Sequence, residues 1–503
     1  MAVIRDVAPL IAATVAALAL SRYLYKRARR LPPPPGPPCR PFLGIDRKLL
    51  PRSEPWKTYA EWAKQYGPIF SFHILGQRIV ILNSFEVASE LLNKRASIYS
   101  DRPLKYMYDV LMGRRTAVFN ISASDDRHRI YRRLLHGSLN VRAVQSYRHV
   151  QEDEARLFLQ GVLANPKSFG EQVKRNAVAV IMRITYGYTI QDNDPFVSMI
   201  EESFRISSLG AAPGMWLVDF FPILRFVPSW FPGAGFKRQA KEWFKQLDTM
   251  SSAPLQWTKG EMVAGTATDS FASTHLSDAN TVELHVQRCA SGLYAGGADT
   301  IAGAMTTFFL VMCLHPDVQA RARQEVDTVT GQDRLPTCGD LDRLPYLRQV
   351  MQEVLRWAPV APLALPHSLT CDDEYMGYHL AKGATIYANL WGMFHDPSVY
   401  VHPDDFNPDR FSSTTDSPMP PDPLEWVFGF GKRVCPGLHF AQTSLMLNMA
   451  SVLGTLNLTR PTDAGGRPTQ PDISFTTGIT SHPKPFLCTI TPRVGAEKLL
   501  SVP

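Results

Sequence analysis

The chemistry this chain could perform is concentrated around one cysteine. Phe428-Gly429-Phe430-Gly431-Lys432-Arg433-Val434-Cys435-Pro436-Gly437 sets a thiol between glycines, just ahead of a helical stretch from Leu438 to Leu453. A thiolate placed before a helix N-terminus is favoured by the helix dipole and by the free N–H groups of the first turn. Gly431 and Gly437 allow backbone to approach a flat ligand and to make turns closed to other residues. Arg433 offers a planar fork of donors suited to a carboxylate. The other cysteines, Cys39, Cys289, Cys313, Cys338, Cys371 and Cys488, lack such surroundings. The total of 7 is odd and no pair is spaced C-x-x-C, which argues against a disulfide framework or a zinc knuckle. The main body is expected in a reducing compartment.

Other polar groups stand out against apolar neighbours. Gly296-Gly297-Ala298-Asp299-Thr300 interrupts a long apolar helical stretch, Thr281 to Leu314, which His315-Pro316 ends. Glycine inside a helix costs about 1 kcal/mol relative to alanine, so the motif serves either close approach or chemistry. Glu353-Val354-Leu355-Arg356 puts opposite charges at i and i+3 on one helix face, within Tyr346 to Trp357. Alone, such a pair is usually a solvated surface contact. Phe406-Asn407-Pro408-Asp409-Arg410-Phe411 lies between that helix and the cysteine. Asp126 to His136 is strongly basic, with Arg127, Arg129, Arg132 and Arg133. Pro366-His367-Ser368 follows the Glu353 helix by one loop, where a lone histidine is more often packed than functional.

The elements that must hold these groups are mainly helical. Ser84 to Arg95 has helical spacing, and Ile69 to Leu82 alternates around Leu75-Gly76 as a β-hairpin. Short strands are expected near Ala384 to Leu390 and Phe475 to Thr491. The sequence predicts a large helical body with a small β region, residues 42–503, with no internal linker or repeat. With 45% hydrophobic residues it is too apolar for disorder, and a net charge of +7 is too diffuse for nucleic acid. Val7 to Leu20 is almost wholly apolar and just long enough, with its flank, to cross the ~30 Å hydrocarbon core. Lys26, Arg27, Arg29 and Arg30 follow it, which places the body on the cytosolic side of a single span, residues 1–30. Pro32-Pro33-Pro34-Pro35-Gly36-Pro37-Pro38 reads as a stiff spacer, residues 31–41.

The pattern F-x-x-G-x-R-x-C-x-G matches the haem-binding loop of cytochromes P450 at every defined position, and the chain resembles that family over nearly its whole length. The resemblance implies the P450 fold and haem b, with Cys435 as axial thiolate ligand to iron. It implies that Phe428 sits beside the sulfur, that Gly431 and Gly437 lie against the haem, and that Arg433, Arg132 and His367 contact its propionates. Asp299 and Thr300 resemble the acid–alcohol pair that supplies protons, with Ile301 where the family often has Thr or Ser. Glu353, Arg356 and Arg410 resemble the buried network that supports the cysteine loop, and His128 stands where the family has Trp.

The implied activity is monooxygenation of a lipophilic small molecule with O2. Electrons would come from NADPH through a membrane-bound P450 reductase, with cytochrome b5 as a second candidate donor, at the endoplasmic reticulum. Pro228-Ser229-Trp230-Phe231-Pro232-Gly233-Ala234-Gly235-Phe236-Lys237-Arg238 resembles fungal P450s of secondary metabolism, which puts a terpenoid ahead of a polyketide or alkaloid. Substrate contacts are expected from Met107 to Phe119, Leu209 to Trp216, Leu293, Ala361 to Leu365 and Gly478 to Thr480. A reductase-independent isomerase or dehydratase on the same fold, and a haem sensor without turnover, are the alternatives. The retained Asp299–Thr300 pair argues against both.

Overall fold

The computed structural model describes residues 31–501 apart from 42, 47, 192, 213, 414–418 and 464. The predicted anchor, residues 1–30, lies outside the described residues. The longer helices are α1 (Pro55–Tyr66), α2 (Asp126–Leu139), α3 (Arg148–Ala164), α4 (Phe169–Tyr186), α5 (Pro195–Ala211), α6 (Gly235–Ala264), α7 (Glu283–Leu314), α8 (Pro316–Thr330), α9 (Pro345–Trp357) and α10 (Leu438–Thr455). Among the described residues ten short strands accompany them: β1 (Cys39–Arg40), β2 (Gly44–Ile45), β3 (Ile69–Ile74), β4 (Gln77–Leu82), β5 (His367–Ser368), β6 (Asp373–Tyr375), β7 (Tyr378–Leu380), β8 (Thr385–Ala388), β9 (Leu456–Thr459) and β10 (Thr489–Pro492).

α7 is the axis of the body. It is 32 residues long and buried on most faces from Ala298 to Leu314, which explains its unbroken apolar run. It stops at His315, whose backbone is extended ahead of Pro316, since proline excludes helical geometry from the residue before it. α4 and α10 flank it, and together they enclose the main hydrophobic core. A mixed sheet in the order β1-β2-β3-β4-β8-β5 forms the β region, with β4 and β8 parallel. The β3–β4 hairpin turns through Leu75 and Gly76, both at positive φ, a geometry that matches the twist of paired strands.

Three expectations change. Ser84 to Arg95 is an α-turn at Phe85–Ala88, capped by the Ser84 hydroxyl, that widens into a π-helix at Ser89–Lys94. Between Phe475 and Thr491 only β10 and a single bridge from Phe475 to Pro483 form, so most of that stretch is loop. The proline run is not a free spacer. Proline has no N–H but keeps its carbonyl, and here those carbonyls are used. Pro35 accepts from Ser71 N–H at 2.7 Å, Pro34 from the Ser71 hydroxyl at 2.9 Å, and Pro32 from His379 N–H at 2.8 Å. Gly36 is required there, because a Cβ would lie 1.9 Å from the Ser71 carbonyl oxygen.

The Glu353–Arg356 pair is fully buried on α9, each side chain at 0% exposure. Arg356 Nε and Nη2 donate to Glu353 at 2.7 and 2.9 Å, and Arg410 Nε donates to the same carboxylate at 3.1 Å. The remaining donors reach backbone carbonyls of Phe394, Val401, His402 and Asp405, so the triad pins the irregular 394–411 segment. It meets the cysteine loop through rings rather than hydrogen bonds. Arg356 lies over Tyr400, Tyr400 contacts Phe85, Phe85 packs on Trp426, and Trp426 on Phe430. Glu353→Ala strands two buried guanidinium groups and is expected to cost about 3–5 kcal/mol in denaturant unfolding. An unchanged midpoint would mean that water replaces the carboxylate at no cost.

Candidate functional site

The 428–437 loop is closed on itself before it meets α10. Cys435 N–H donates to the Phe428 carbonyl at 2.6 Å, and Arg433 N–H to that of Phe430 at 2.8 Å. Gly429 and Gly431 adopt positive φ. Gly431 is doubly constrained, since its N–H donates to Asn93 Oδ1 at 2.8 Å and a Cβ would sit 2.5 Å from the Leu92 carbonyl oxygen. Gly437, by contrast, has φ of −94°, which any residue tolerates, and a Cβ would meet the Cys435 sulfur only at 3.9 Å. Its place beside the sulfur, not its backbone, is what distinguishes it.

The sulfur opens on a cavity of about 270 Å³. Burial pushes the Cys435 thiol up, although the Gly437 N–H and the Arg132 charge act in the other direction. The Gly437 N–H at the start of α10 thus favours the thiolate while burial opposes it. A cation bound at the sulfur would supply the missing stabilisation.

One end of the cavity is rich in buried positive charge. Arg433 donates to the carbonyls of Ser100 at 2.8 Å and Ile121 at 2.5 Å. Arg132, on α2, donates to the Val434 carbonyl at 2.6 Å. Arg102 donates to the carbonyls of Phe119, Leu365 and Pro366. Burial, with the neighbouring Arg433 charge, brings Arg102 down to about 9, and burial brings Arg433 down to about 10, with Arg132 and Arg115 adding to it. Asp101 offsets both only in part. His367 Nδ1 bonds the Tyr99 carbonyl at 2.8 Å, and burial beside Arg102 depresses it to about 3. His128 is depressed to about 4 by burial and by the Arg433 charge. Both imidazoles are therefore neutral at pH 7, while the guanidinium groups remain charged and repel one another. An anionic ligand would relieve that repulsion. A flat dianionic macrocycle carrying a metal fits this donor set, with Cys435 for the metal and the guanidinium groups for the carboxylates.

The apolar wall comes from Val118, Phe119, Leu293, Ile301, Ala304, Val360, Ala361, Ala364 and Leu365, with Phe428 and Phe440 lower down. Thr300 reaches the cavity and donates to the Gly296 carbonyl at 2.7 Å. Gly296 stands against Phe119, where a Cβ would be 3.1 Å from the ring, and Gly297 against Ile181. Asp299 is placed differently, turned toward the C-terminal loop. Its carboxylate accepts from the Thr480 hydroxyl at 2.7 Å and from His482 Nε2 at 3.1 Å. Burial would raise Asp299, but the His482 and Thr480 contacts outweigh it and hold the carboxyl below its ordinary value.

Some predicted substrate contacts lie elsewhere. Of Met107 to Phe119 only Val118 and Phe119 reach the cavity, and none of Leu209 to Trp216 or Gly478 to Thr480 does. Met107 and Met112 pack with Ile206, Val218, Trp243 and Leu247 in a satellite core whose members do not line the cavity. Arg102 and His482 were missed. Arg102 follows an unremarkable Tyr99-Ser100-Asp101, and His482 is one of 13 histidines with no motif around it, so neither leaves a sequence signal.

A family profile described as Cytochrome P450 matches residues 34–490. Cytochrome P450 monooxygenase claR of Ampulloclitocybe clavipes is 40% identical over 480 residues, covering 94% of this chain and 89% of that protein. Cytochrome P450 monooxygenase 208 of Postia placenta is 38% identical over 499 residues, covering 97% and 96%. A tryptamine 4-monooxygenase of Psilocybe cyanescens is 34% identical over 479 residues, covering 93% and 94%. Arg102→Met is expected to weaken haem retention roughly tenfold, the size of one charge-assisted hydrogen bond, read by haem transfer to apomyoglobin. Retention at the wild-type level would remove Arg102 from the anion-facing set.

Proposed function

This chain belongs to the cytochrome P450 family and is a P450 monooxygenase, and from that premise we propose that it oxidises a neutral, lipophilic small molecule with electrons drawn from NADPH through a membrane-bound reductase. A terpenoid stands ahead of a polyketide or an alkaloid. The observation that carries this reading is the cavity, whose lining around Cys435 and Thr300 is largely apolar, from Val118, Phe119, Leu293, Ile301, Ala304 and Val360. Apolar lining favours a lipophilic guest and discriminates weakly among similar ones.

Haem bound through a cysteine thiolate supplies activation of O2 and transfer of one oxygen atom to substrate. Cys435 is the ligand in this reading. Arg433, Arg132 and Arg102 would hold the propionates, while His367, neutral and donating its Nδ1–H to the Tyr99 carbonyl, would pack beside them without donating to them. Phe428 and Gly437 shape the surroundings of the sulfur, and Gly431 sets the turn. Thr300 would hold a proton donor in the cavity, and Asp299 would link it to solvent. Ile301 and Ala304 exclude water from the rest. Glu353, Arg356 and Arg410 are structural.

Membrane attachment, with the body on the cytosolic face of the endoplasmic reticulum, rests on the N-terminal apolar run. A second support is the stretch from Leu217 to Phe231, which exposes Ile223 at 75%, Phe226 at 69% and Trp230 at 78%. Aromatic and aliphatic groups exposed together on one turn suit an interfacial contact.

The first test is the carbon-monoxide spectrum of the reduced chain. It should show the Soret band of sulfur-ligated haem and lose it in Cys435→Ser. A folded, haem-loaded wild type without that band would refute the ligand assignment. Thr300→Ala should lower product per NADPH and release more hydrogen peroxide, measured with a reductase and the scaffold that gives product on co-expression. Coupling equal to wild type would remove Thr300 from proton supply.

A further inference from the structure

The contact between Asp299 and His482 joins two segments 183 residues apart and is built with care on both sides. On α7, Gly303 lies one helical turn beyond Asp299 and leaves a notch for the imidazole. A Cβ there would fall 2.2 Å from His482 Nδ1, so any larger residue would displace the ring. On the loop side, His482 is bracketed by its own backbone. His482 N–H donates to Thr476 Oγ1 at 3.0 Å, and Thr476 N–H donates to the His482 carbonyl at 2.8 Å. Ser481 N–H donates to the Val360 carbonyl at 2.8 Å, which ties the loop to the residue that also lines the cavity.

The ring orientation follows from this frame. Nδ1 is pressed on the Gly303 backbone, so Nε2 faces Asp299, at 3.1 Å from Oδ1 and 3.2 Å from Oδ2. The Thr480 hydroxyl donates to Oδ2 as well. Both carboxylate oxygens are thus engaged from one side, and the neighbouring Thr300 faces the cavity. Side-chain exposures of 24% for His482 and 27% for Asp299 leave the pair within reach of water. A carboxylate that carries protons must sit at one place between solvent and the cavity. An unrestrained one would spread over several rotamers and spend much of its time elsewhere.

We propose that His482, seated in the Gly303 notch, is the positioning residue for Asp299, fixing its carboxylate where it can pass solvent protons toward Thr300. This rests on the monooxygenase reading of the cavity and adds to it a residue outside the cavity wall. His482 touches neither substrate nor haem in this role. It acts through Asp299 alone, by donating from Nε2. The requirement is a donor at that point in space, so glutamine, whose amide N–H can reach the same place, should serve where alanine cannot.

The test uses the full-length, haem-loaded chain with purified NADPH–P450 reductase and needs no substrate. Electrons from NADPH that enter this system end as peroxide, formed directly or by dismutation of one-electron superoxide, or as water. O2 takes two electrons and two protons to give hydrogen peroxide, or four of each to give two waters. The second route draws on the proton path twice as heavily. His482→Ala is expected to cut the share of NADPH that ends as water roughly tenfold, the effect of losing one hydrogen bond to a charged group. His482→Gln should stay within about twofold of wild type. Gly303→Ala, which expels the ring without removing it, should resemble His482→Ala.

Each variant is checked by the reduced carbon-monoxide spectrum and by backbone hydrogen exchange across residues 476–484. If His482→Ala exchanges faster there while water and peroxide keep their wild-type proportions, the histidine is only a tether for the loop, and the proposal fails. It fails equally if glutamine is as poor as alanine. A wild-type chain that consumes no NADPH with reductase present would overturn the monooxygenase reading itself, and the role of His482 with it. A reductase-dependent wild type beside an unaffected alanine variant overturns the His482 role alone.

Discussion

Buried positive charge at one end of an apolar cavity is the constraint around which this molecule is arranged. Guanidinium groups are costly to bury, and more so side by side. Arg102, Arg132 and Arg433 are tolerated because the chain turns backbone carbonyls toward them, from Ser100, Phe119, Ile121, Leu365, Pro366 and Val434. Those carbonyls come from segments that regular helix or strand would have consumed. The irregular loops after Tyr99, around Ile121 and before β5 are therefore part of the same device. They leave acceptors free to hold cations, and the cations in turn remain available for an anion. The sulfur below is subject to the complementary constraint, a thiol pushed up by burial that calls for a positive partner. A metal porphyrin with two carboxylates answers both demands at once, in keeping with the family to which the chain belongs.

What the sequence reveals of this and what it hides have a common cause. The cysteine loop is legible because its requirements are local. Gly431 has positive φ and a carbonyl pressed against it, and Cys435 is tied to Phe428 seven positions away. The helix α7 is legible because burial on most faces of its C-terminal half produces a long apolar run, against which Gly296, Gly297 and Asp299 stand out. The Glu353–Arg356 pair is visible at i and i+3, and its full burial is hinted at by its apolar neighbours. Arg102 and His482 are invisible for the opposite reason. Their partners are contributed by tertiary contacts 263 and 183 residues away, and nothing in the flanking residues encodes them. The proline run misleads in yet another way. Its composition specifies an extended backbone, but not whether free carbonyls face water or a neighbouring strand.

The π-helical turn at Ser89–Lys94 belongs to the same economy. The wider turn brings Asn93 Oδ1 to the glycine N–H and the Leu92 carbonyl against the same residue. A departure from ideal helix in one element thus sets the approach of another, and the aromatic chain from Tyr400 through Phe85 and Trp426 to Phe430 fills the space between them.

The satellite core of Met107, Met112, Ile206, Val218, Trp243 and Leu247 has a consequence for how such a protein can diversify. It is closed by apolar contacts of its own, apart from the large core that encloses α7 and the smaller one behind the cysteine loop, and none of its residues lines the cavity. Repacking within it therefore leaves the surroundings of the sulfur and the charged groups untouched. A lineage of duplicated copies can redraw that part while inheriting the rest intact.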